Sequence, residues 1–236
     1  MTVGVIWAAF TRALGQWDDS RFRRIVFLGV GLTLGLLIAL TILLLWAVQS
    51  LTPDNITLPF GAEFWGVHEV LSVGSVLVIL GLSVFLMVPV ASAFSGLFLE
   101  GVVDAVEDRA YPALPPARPQ SLAEGMIASV NFLGLMLIAN LGALLIWPFA
   151  GPFIPLVFWA VNGWLLGQEY FTLVAQRRMS RIEAKRLRRV HRGTIWLAGI
   201  LMAAPLSVPV LNLLIPVFGV ATFTHLFHAL NARRGT

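Results

Sequence analysis

An uncharged apolar run near the N-terminus constrains this chain more than any other feature. Residues 25–48, IVFLGVGLTLGLLIALTILLLWAV, contain no charged side chain over 24 positions. A helix of roughly 20 apolar residues is enough to cross the hydrocarbon core of a bilayer. The run is too long for the apolar region of a cleavable signal peptide, and no small-residue cleavage pattern follows it. We therefore predict a retained transmembrane helix.

The composition places the whole chain in the membrane class. Of its 236 residues, 58% are hydrophobic and only 12% are charged, whereas about 25% of residues are charged in an ordinary soluble domain. Four further apolar stretches follow the first, at 70–98, 126–147, 153–175 and 195–227. We predict an all-α integral membrane protein that forms one polytopic domain over residues 1–236. The absence of cysteine excludes disulfides and cysteine-ligated metals.

The basic residues predict the topology. All sixteen fall at the N-terminus, between 109 and 118, between 177 and 192, or at the C-terminus, and the connections 49–70, 148–155 and 205–216 contain none. Basic residues in short loops mark the cytoplasmic side. Both termini are therefore predicted inside and loop 49–69 outside. Since the cations flank membrane segments, anionic lipid is the expected partner rather than nucleic acid.

The last apolar stretch is too short for two crossings. Residues 195–227 start and end inside within 33 positions, whereas two crossings and a turn need roughly 45. Prolines at 205, 209 and 216 break the helix. We predict a re-entrant hairpin, because broken backbone at membrane depth is tolerated only against protein or water.

Residues 126–175 repeat this pattern around WPFAGPFIP, with prolines at 148, 152 and 155. At 50 residues this pair is long enough either to cross fully or to stop short, and the repeated Pro-broken pattern favours a second re-entrant hairpin. The predicted fold thus has two full transmembrane helices, 25–48 and 70–98, and two Pro-broken, half-penetrating hairpins, 126–175 and 195–227. Amphipathic helices over 3–17 and 177–192 are expected to lie on the inner leaflet.

Three arginines, Arg21, Arg23 and Arg24, stand where the first long helix begins. Cations are unfavourable near a helix N-terminus unless an anion compensates them. Two interpretations remain open. The arginines are either a topology lock, meaning a positive cluster that keeps this end of the helix on the cytoplasmic side and is solvated by lipid phosphates, or a site for a tetrahedral dianion held by guanidiniums and free N–H groups. Asp18 and Asp19 are expected to cap the helix or to hold the arginines.

Several polar residues fall within apolar stretches. Glu169 either pairs with Arg177 near the interface or acts as a proton-coupling or inter-helix carboxylate. Asn140, Asn162 and Asn212 are expected to form helix–helix hydrogen bonds, and Asn212 either lines a pore or satisfies backbone freed by Pro209 and Pro216. His225 and His228 have a spacing compatible with metal binding, but no carboxylate is near in sequence, and no metal or other cofactor is predicted.

Four motifs resemble those of the CysZ sulfate permeases of bacterial inner membranes, within the etoposide-induced-protein-like superfamily. They are SRFRRIVFL before the first span, FSGLFLE at 94–100, PLVFWAVNGWLLGQEY at 155–170 and PVLNLLIPV at 209–217. The resemblance covers most of the chain.

This resemblance implies passage of sulfate into the cytoplasm for cysteine synthesis, half-penetrating hairpins and homo-oligomers. It also implies an anion site at the turn before the first span, which carries over to Phe22, Arg23 and Arg24. Arg21 stands where the family usually has glycine, which removes part of the backbone approach to an anion. No nucleotide-binding or hydrolase motif is present, so no enzyme is predicted. The alternative is a non-transporting membrane scaffold or lipid-interacting protein.

Overall fold

A computed structural model describes residues 2–51, 98–118, 122–208, 211 and 214–233 of the chain. Every secondary-structure element in these ranges is helical, which confirms the all-α class. The predicted span 70–98, apart from Phe98, lies outside the described residues, and so do Asn212 and all but the start of loop 49–69.

Eight α-helices are described. They are α1 (Thr2–Leu14), α2 (Ser20–Leu51), α3 (Glu100–Ala110), α4 (Leu122–Ala150), α5 (Ile154–Arg178), α6 (Arg181–Val190), α7 (Arg192–Ala203) and α8 (Ile215–Ala232). Short 3₁₀ turns at Gly15–Asp18, Gly151–Phe153 and Ala204–Ser207 follow α1, α4 and α7.

Helix α1 and the 3₁₀ turn after it contain the predicted segment 3–17, and α2 contains the segment 25–48. The amphipathic segment is helical, and its small apolar face of Ile6, Ala9 and Ala13 is buried against α8. Helix α2 is 32 residues long, or about 48 Å at 1.5 Å per residue. Its length is therefore more than a bilayer core requires.

Helix α8 is the centre of the described packing. Helices α1, α3, α5 and α7 all contact it, and every residue from 219 to 227 is buried. Phe223 and Phe227 meet Tyr170 and Phe171 of α5 edge-on, with ring centroids 5.9 and 6.0 Å apart. Edge-to-face pairs of this kind add to the burial of the rings themselves, so α5 and α8 form the aromatic core.

Glycines let α5 and α7 approach until their backbones touch. A Cβ atom at Gly199 would lie 1.8 Å from the carbonyl oxygen of Gly163, and one at Gly167 would lie 2.6 Å from the carbonyl oxygen of Ile195. The Trp196 indole donates to the Ala160 carbonyl oxygen across the same interface at 2.9 Å. The two helices are antiparallel neighbours held at backbone contact.

The proline-rich segments end helices where the sequence predicts. Gly151 has φ +46°, a left-handed conformation that favours glycine, and it separates α4 from α5. Pro205 lies in the 3₁₀ turn after α7, and Pro216 lies in the first turn of α8, where a missing N–H costs nothing. Pro148 lies inside α4 and does not end it, and Pro209 lies outside the described residues. Breaks are thus observed at Gly151 and Pro205, whereas half-penetration of the two hairpins stays a prediction.

Apolar side chains cover the outside of the fourth helix. Ile138, Leu145 and Phe149 are among the most exposed of them. By length and composition, the helical stretch Met126–Arg178 can cross a membrane, with a mean hydropathy of 2.0 in its most apolar window. An exposed surface of this kind is compatible with lipid as its solvent.

The basic segment 177–192 is divided among three helices, and its last residue, Arg192, begins α7. The first two arginines belong to the end of α5, and a capping box formed by Ser180 and Glu183 starts α6. Helix α6 buries Ala184 and Leu187, whereas Ile182 and Val190 are 81% and 69% exposed. Ile182 and Val190 therefore project from the protein, whereas Met179, which precedes α6, packs against the core.

The glycine interface gives the first prediction. Gly199→Ala is expected to destabilise the protein by about 1–3 kcal/mol, because the new methyl group must displace the Gly163 carbonyl. Thermal unfolding of the detergent-solubilised protein measures the effect. Gly193→Ala is the control in the same helix, because nothing lies within 4 Å of its Cβ position. Equal melting temperatures for the two variants would contradict backbone contact between α5 and α7.

Candidate functional site

Helix α3 presents acidic residues on one side and valines on the other. Its sequence EGVVDAVEDRA spaces Glu100, Asp104, Glu107 and Asp108 at intervals that share one broad helix face. Val102, Val103 and Val106 are fully buried on the opposite face. The helix is therefore anchored by its valines and offers its carboxylates to neighbouring arginines.

Two arginines at the end of α5 bind these carboxylates. Arg177 donates to Glu100 at 3.0 Å and also to Asp104. Arg178 binds Glu107 through both its Nε and its Nη2 atoms, and it donates to the Pro115 carbonyl oxygen as well. Paired guanidinium–carboxylate bonds are strong and directional, so they fix the end of α5 against α3 and the loop that follows α3.

Glu107 is the most enclosed of these acids, with 3% of its surface exposed. Its Oε1 atom lies 2.8 Å from Nε2 of His228 on α8. Burial alone would raise the pKa of Glu107, but hydrogen bonds from His228 and Arg178 outweigh burial and hold the pKa below its usual value. The carboxylate is therefore charged at neutral pH and links α3, α5 and α8.

A cavity with several polar and charged side chains in its wall lies beside this network. It has a volume of about 450 Å³ and is lined by Arg12, Gly15, Gln16, Arg109, Ala110, Tyr111 and His225. The Tyr111 hydroxyl lies 3.0 Å from His225 Nδ1, and Gln16 Nε2 lies 3.5 Å from His225 Nε2. Burial raises the pKa of Tyr111, although the neighbouring Arg12 opposes the rise. The phenol therefore keeps its proton at neutral pH.

The two histidines of α8 thus have different partners. His228 belongs to the Glu107 ion-pair network, and its ring lies 4.2 Å from the Tyr111 ring. His225 faces the cavity. Among the described residues, no cluster of histidine and acidic side chains is arranged to hold a metal ion.

The arginine turn begins with a helix cap. Asp19 Oδ1 accepts the backbone N–H of Arg21 at 2.8 Å, and the Asp19 carbonyl oxygen accepts the N–H of Arg23 at 3.0 Å. This confirms the expected cap. The Arg21 guanidinium binds Asp108 of α3 at 2.6 Å, so an acidic partner from another helix compensates this charge.

The remaining members of the predicted anion site have different environments. Phe22 is fully buried, and its ring meets the Phe218 ring edge-on at 5.9 Å. Arg23 and Arg24 are exposed, and no described residue forms an ion pair or hydrogen bond with either guanidinium. Phe22 is therefore an anchor for the turn, while the two arginines next to it are available to an anion or to lipid.

Three other expectations on polar residues need correction or refinement. The pairing of Glu169 with Arg177 is wrong, because Arg177 is bound to Glu100 and Asp104. Asn140 and Asn162 donate to carbonyl oxygens four residues earlier in their own helices, at 2.8 and 2.9 Å. The side chains of these two asparagines therefore bond within their own helices, and not between helices as expected.

Sequence reasoning missed the acidic helix and the cavity. The acidic helix could have been predicted from the sequence. The spacing of its four acids places them on one helix face, and eight cations that could pair with them follow at 177–192. The cavity could not be recognised from the sequence, because Arg12 and Gln16 are far in sequence from Tyr111 and His225. The two pairs meet only after α1 and α3 pack on α8.

Neighbouring acids of α3 give a matched pair of variants. Glu107→Ala is expected to destabilise the protein by about 3–5 kcal/mol, because it leaves the half-buried Arg178 charge without its carboxylate. Asp108→Ala is expected to change stability by less than about 1 kcal/mol. Its ion pair with Arg21 is solvent-exposed, since the side chains of Arg21 and Asp108 are 59% and 65% exposed. Thermal unfolding in detergent at pH 7 measures both. Similar losses from the two variants would contradict the assigned role of Glu107.

The pH dependence of this difference follows from the lowered pKa of Glu107. A carboxyl whose pKa is lower in the folded state stabilises the protein fully above its ordinary pKa, and this contribution disappears as the pH falls through the lowered value. We expect the stability difference between the native chain and Glu107→Ala to be constant above the ordinary carboxyl pKa of 4.5 and to shrink as the pH falls below it. A difference that grows on acidification would show that Glu107 is protonated in the native state.

Comparison with known protein families identifies the family of this chain. A family model described as "Sulfate transporter CysZ/Etoposide-induced protein 2.4" matches residues 9–216, a range that contains the arginine turn, the acidic helix and the glycine interface. No curated protein and no solved structure matched the chain. Together with the apolar helical stretch, the match indicates a membrane protein. The chain belongs to the sulfate transporter CysZ/etoposide-induced protein 2.4 family.

Proposed function

We propose that this protein is a sulfate permease that conducts sulfate down its gradient across the bacterial inner membrane, into the cytoplasm for cysteine synthesis. The family description supports sulfate as the solute. One observation supports the location of a binding step: Arg23 and Arg24 are exposed and have no partner among the described residues, although the rest of their turn is fixed.

The arginine turn is preorganised for an anion by the groups around it. Asp19 caps the helix, Phe22 holds the backbone in the core, and Arg21 is bound to Asp108. Two adjacent guanidiniums therefore remain on a fixed backbone. A tetrahedral dianion accepts several hydrogen bonds from guanidinium groups, which replace part of its hydration shell.

The charge pattern supports a place for this step in the transport path. The basic residues predict a cytoplasmic arginine turn, so sulfate would meet Arg23 and Arg24 as it leaves the membrane. A conducting site must bind strongly enough to admit the ion and weakly enough to release it. Exposed guanidiniums meet this condition better than buried ones. We further propose that several copies of the chain form the path.

Lipid contact is the second candidate role, and exposed apolar residues favour it. Ile182 and Val190 project from the basic helix α6, and Trp7 projects from α1. Apolar side chains among cations are typical of helices that lie on an anionic membrane surface. In this alternative the protein binds or shapes lipid, and Arg23 and Arg24 contact phosphate headgroups instead of sulfate.

Uptake of radiolabelled sulfate into proteoliposomes tests the proposal. The native chain is expected to give saturable flux, and the double variant Arg23→Ala/Arg24→Ala is expected to reduce it at least about tenfold, as loss of charge-assisted hydrogen bonds of 1.5–3 kcal/mol predicts. Arg186→Ala/Arg189→Ala removes the same charge from the exposed side of α6 and is expected to retain flux. Native thermal stability should be verified for each variant.

The possible results separate the two roles. Flux that is lost only in the Arg23/Arg24 variant supports an anion site at the turn. Flux that survives in this variant would make the two arginines a topology lock and would place the sulfate path elsewhere. No flux from well-folded native protein would overturn the permease proposal and favour the lipid-binding role.

A further inference from the structure

We propose that one side of α4 is the surface on which a second copy of this chain packs, with Asn140 at its centre. This side, which we call the Asn140 face, is formed by Leu137, Asn140, Leu144 and Trp147. The proposal gives a contact surface to the several copies that would form the transport path. It does not depend on sulfate as the transported solute.

Asn140 is an exposed polar residue far inside an apolar helical stretch. The nearest charged residue in the sequence is Glu124, 16 positions before it. The stretch that can cross a membrane begins at Met126, so Asn140 lies about 21 Å along it at 1.5 Å per residue. Asn131, another exposed asparagine of α4, lies close to the start of the stretch, where headgroups can reach it. Asn140 instead lies at the depth of the hydrocarbon core, which is roughly 30 Å thick.

The Asn140 amide is only partly satisfied within its own helix. Its Nδ2 atom donates to the Met136 carbonyl oxygen at 2.8 Å, which uses one of its two N–H groups. No described residue donates a hydrogen bond to its Oδ1 atom. Lipid tails offer neither donors nor acceptors, so an amide exposed to them loses the hydrogen bonds that it makes in water. A polar partner within the membrane is therefore required.

A second copy of the chain supplies the matching polar groups. Two copies with the same topology are related by a two-fold axis along the membrane normal, so Asn140 of one copy meets Asn140 of the other at the same depth. Each Oδ1 atom can then accept a hydrogen bond from the Nδ2 atom of the other copy. Hydrogen bonds between asparagines are a known cause of helix association in membranes. Because the amide complements itself, it favours a second copy over an unrelated partner.

The apolar neighbours of Asn140 have the spacing of a helix–helix contact. Steps of three and four residues separate the members of the Asn140 face, and its three apolar side chains are 50–58% exposed. This alternation keeps side chains on the one side along which a parallel helix packs at a small crossing angle. The same steps continue toward the start of the helix through Leu133, Val130 and Met126. A second copy of α4 would thus cover a continuous apolar side that contains the amide pair.

Disulfide cross-linking in liposomes tests the surface, because the chain has no cysteine of its own. The variants Leu137→Cys and Leu144→Cys are expected to form disulfide-linked dimers on oxidation, since residues on the face approach their own copies across the two-fold axis. The liposomes contain little protein per lipid, so that random collisions are rare. Ile138→Cys and Leu145→Cys are the controls. These neighbours are more exposed, but each is rotated about 100° around the helix, and they are expected to stay monomeric.

Asn140→Leu measures the contribution of the amide pair. It is expected to weaken self-association roughly threefold to thirtyfold, which corresponds to the usual strength of such hydrogen bonds in membranes. Energy transfer between donor- and acceptor-labelled copies in liposomes, followed as lipid is added, measures the association. Asn131→Leu removes an exposed asparagine of the same helix and is expected to leave association unchanged. Asn140→Gln keeps an amide and is expected to recover part of the loss.

Three results would overturn the proposal, provided that each variant melts like the native chain. The absence of dimers from Leu137→Cys and Leu144→Cys would mean that lipid or the predicted span 70–98 of the same chain covers this side of α4. Equal cross-linking of these variants and their controls would mean that contact between copies is nonspecific. Equal association of Asn140→Leu and Asn131→Leu would mean that the amides do not pair. None of these results requires sulfate flux, so failure here is distinguishable from failure of the permease proposal.

Discussion

The pairing of two consecutive arginines with the acidic face of α3 is the interaction on which the described structure depends. Arg177 and Arg178 stand at the end of the long α5 helix, where positive charge also complements the helix dipole. Their carboxylate partners come from a helix that precedes them by some 70 residues. Through Glu107 and His228 the same network reaches α8. Three helices are thus fixed together by one set of charges next to an otherwise apolar core.

This network also determines which arginines have an acidic partner and which do not. At the arginine turn, Asp108 compensates only Arg21, so Arg23 and Arg24 retain their charge toward the outside. In the cavity, Glu107 is oriented toward α5 and α8 by its own partners, so Arg12 and Arg109 line a space without a bound carboxylate. The acidic helix neutralises some arginines selectively.

Close helix contact provides the rest of the scaffold. Backbone approach at Gly163, Gly167 and Gly199 brings α7 against α5, and edge-to-face aromatic pairs bring α8 against the same helix. Small residues at helix interfaces are the usual means of packing in membranes, where apolar burial gives little driving force between helices. Helix α5 therefore carries the glycine interface, the aromatic core and the arginine pair along one length of chain.

The sequence by itself determined the features that follow from local chemistry. The apolar runs predicted helices, Asp19 predicted the cap of α2, and Pro205 and Pro216 predicted the breaks on either side of the last turn. Each depends on residues close together in the chain. Only the tertiary structure decided the partners of the charged groups, because an arginine pairs with whichever carboxylate packing brings near. Arg177 therefore binds Glu100 and Asp104 instead of Glu169, and Gln16 meets His225 across 209 positions of sequence.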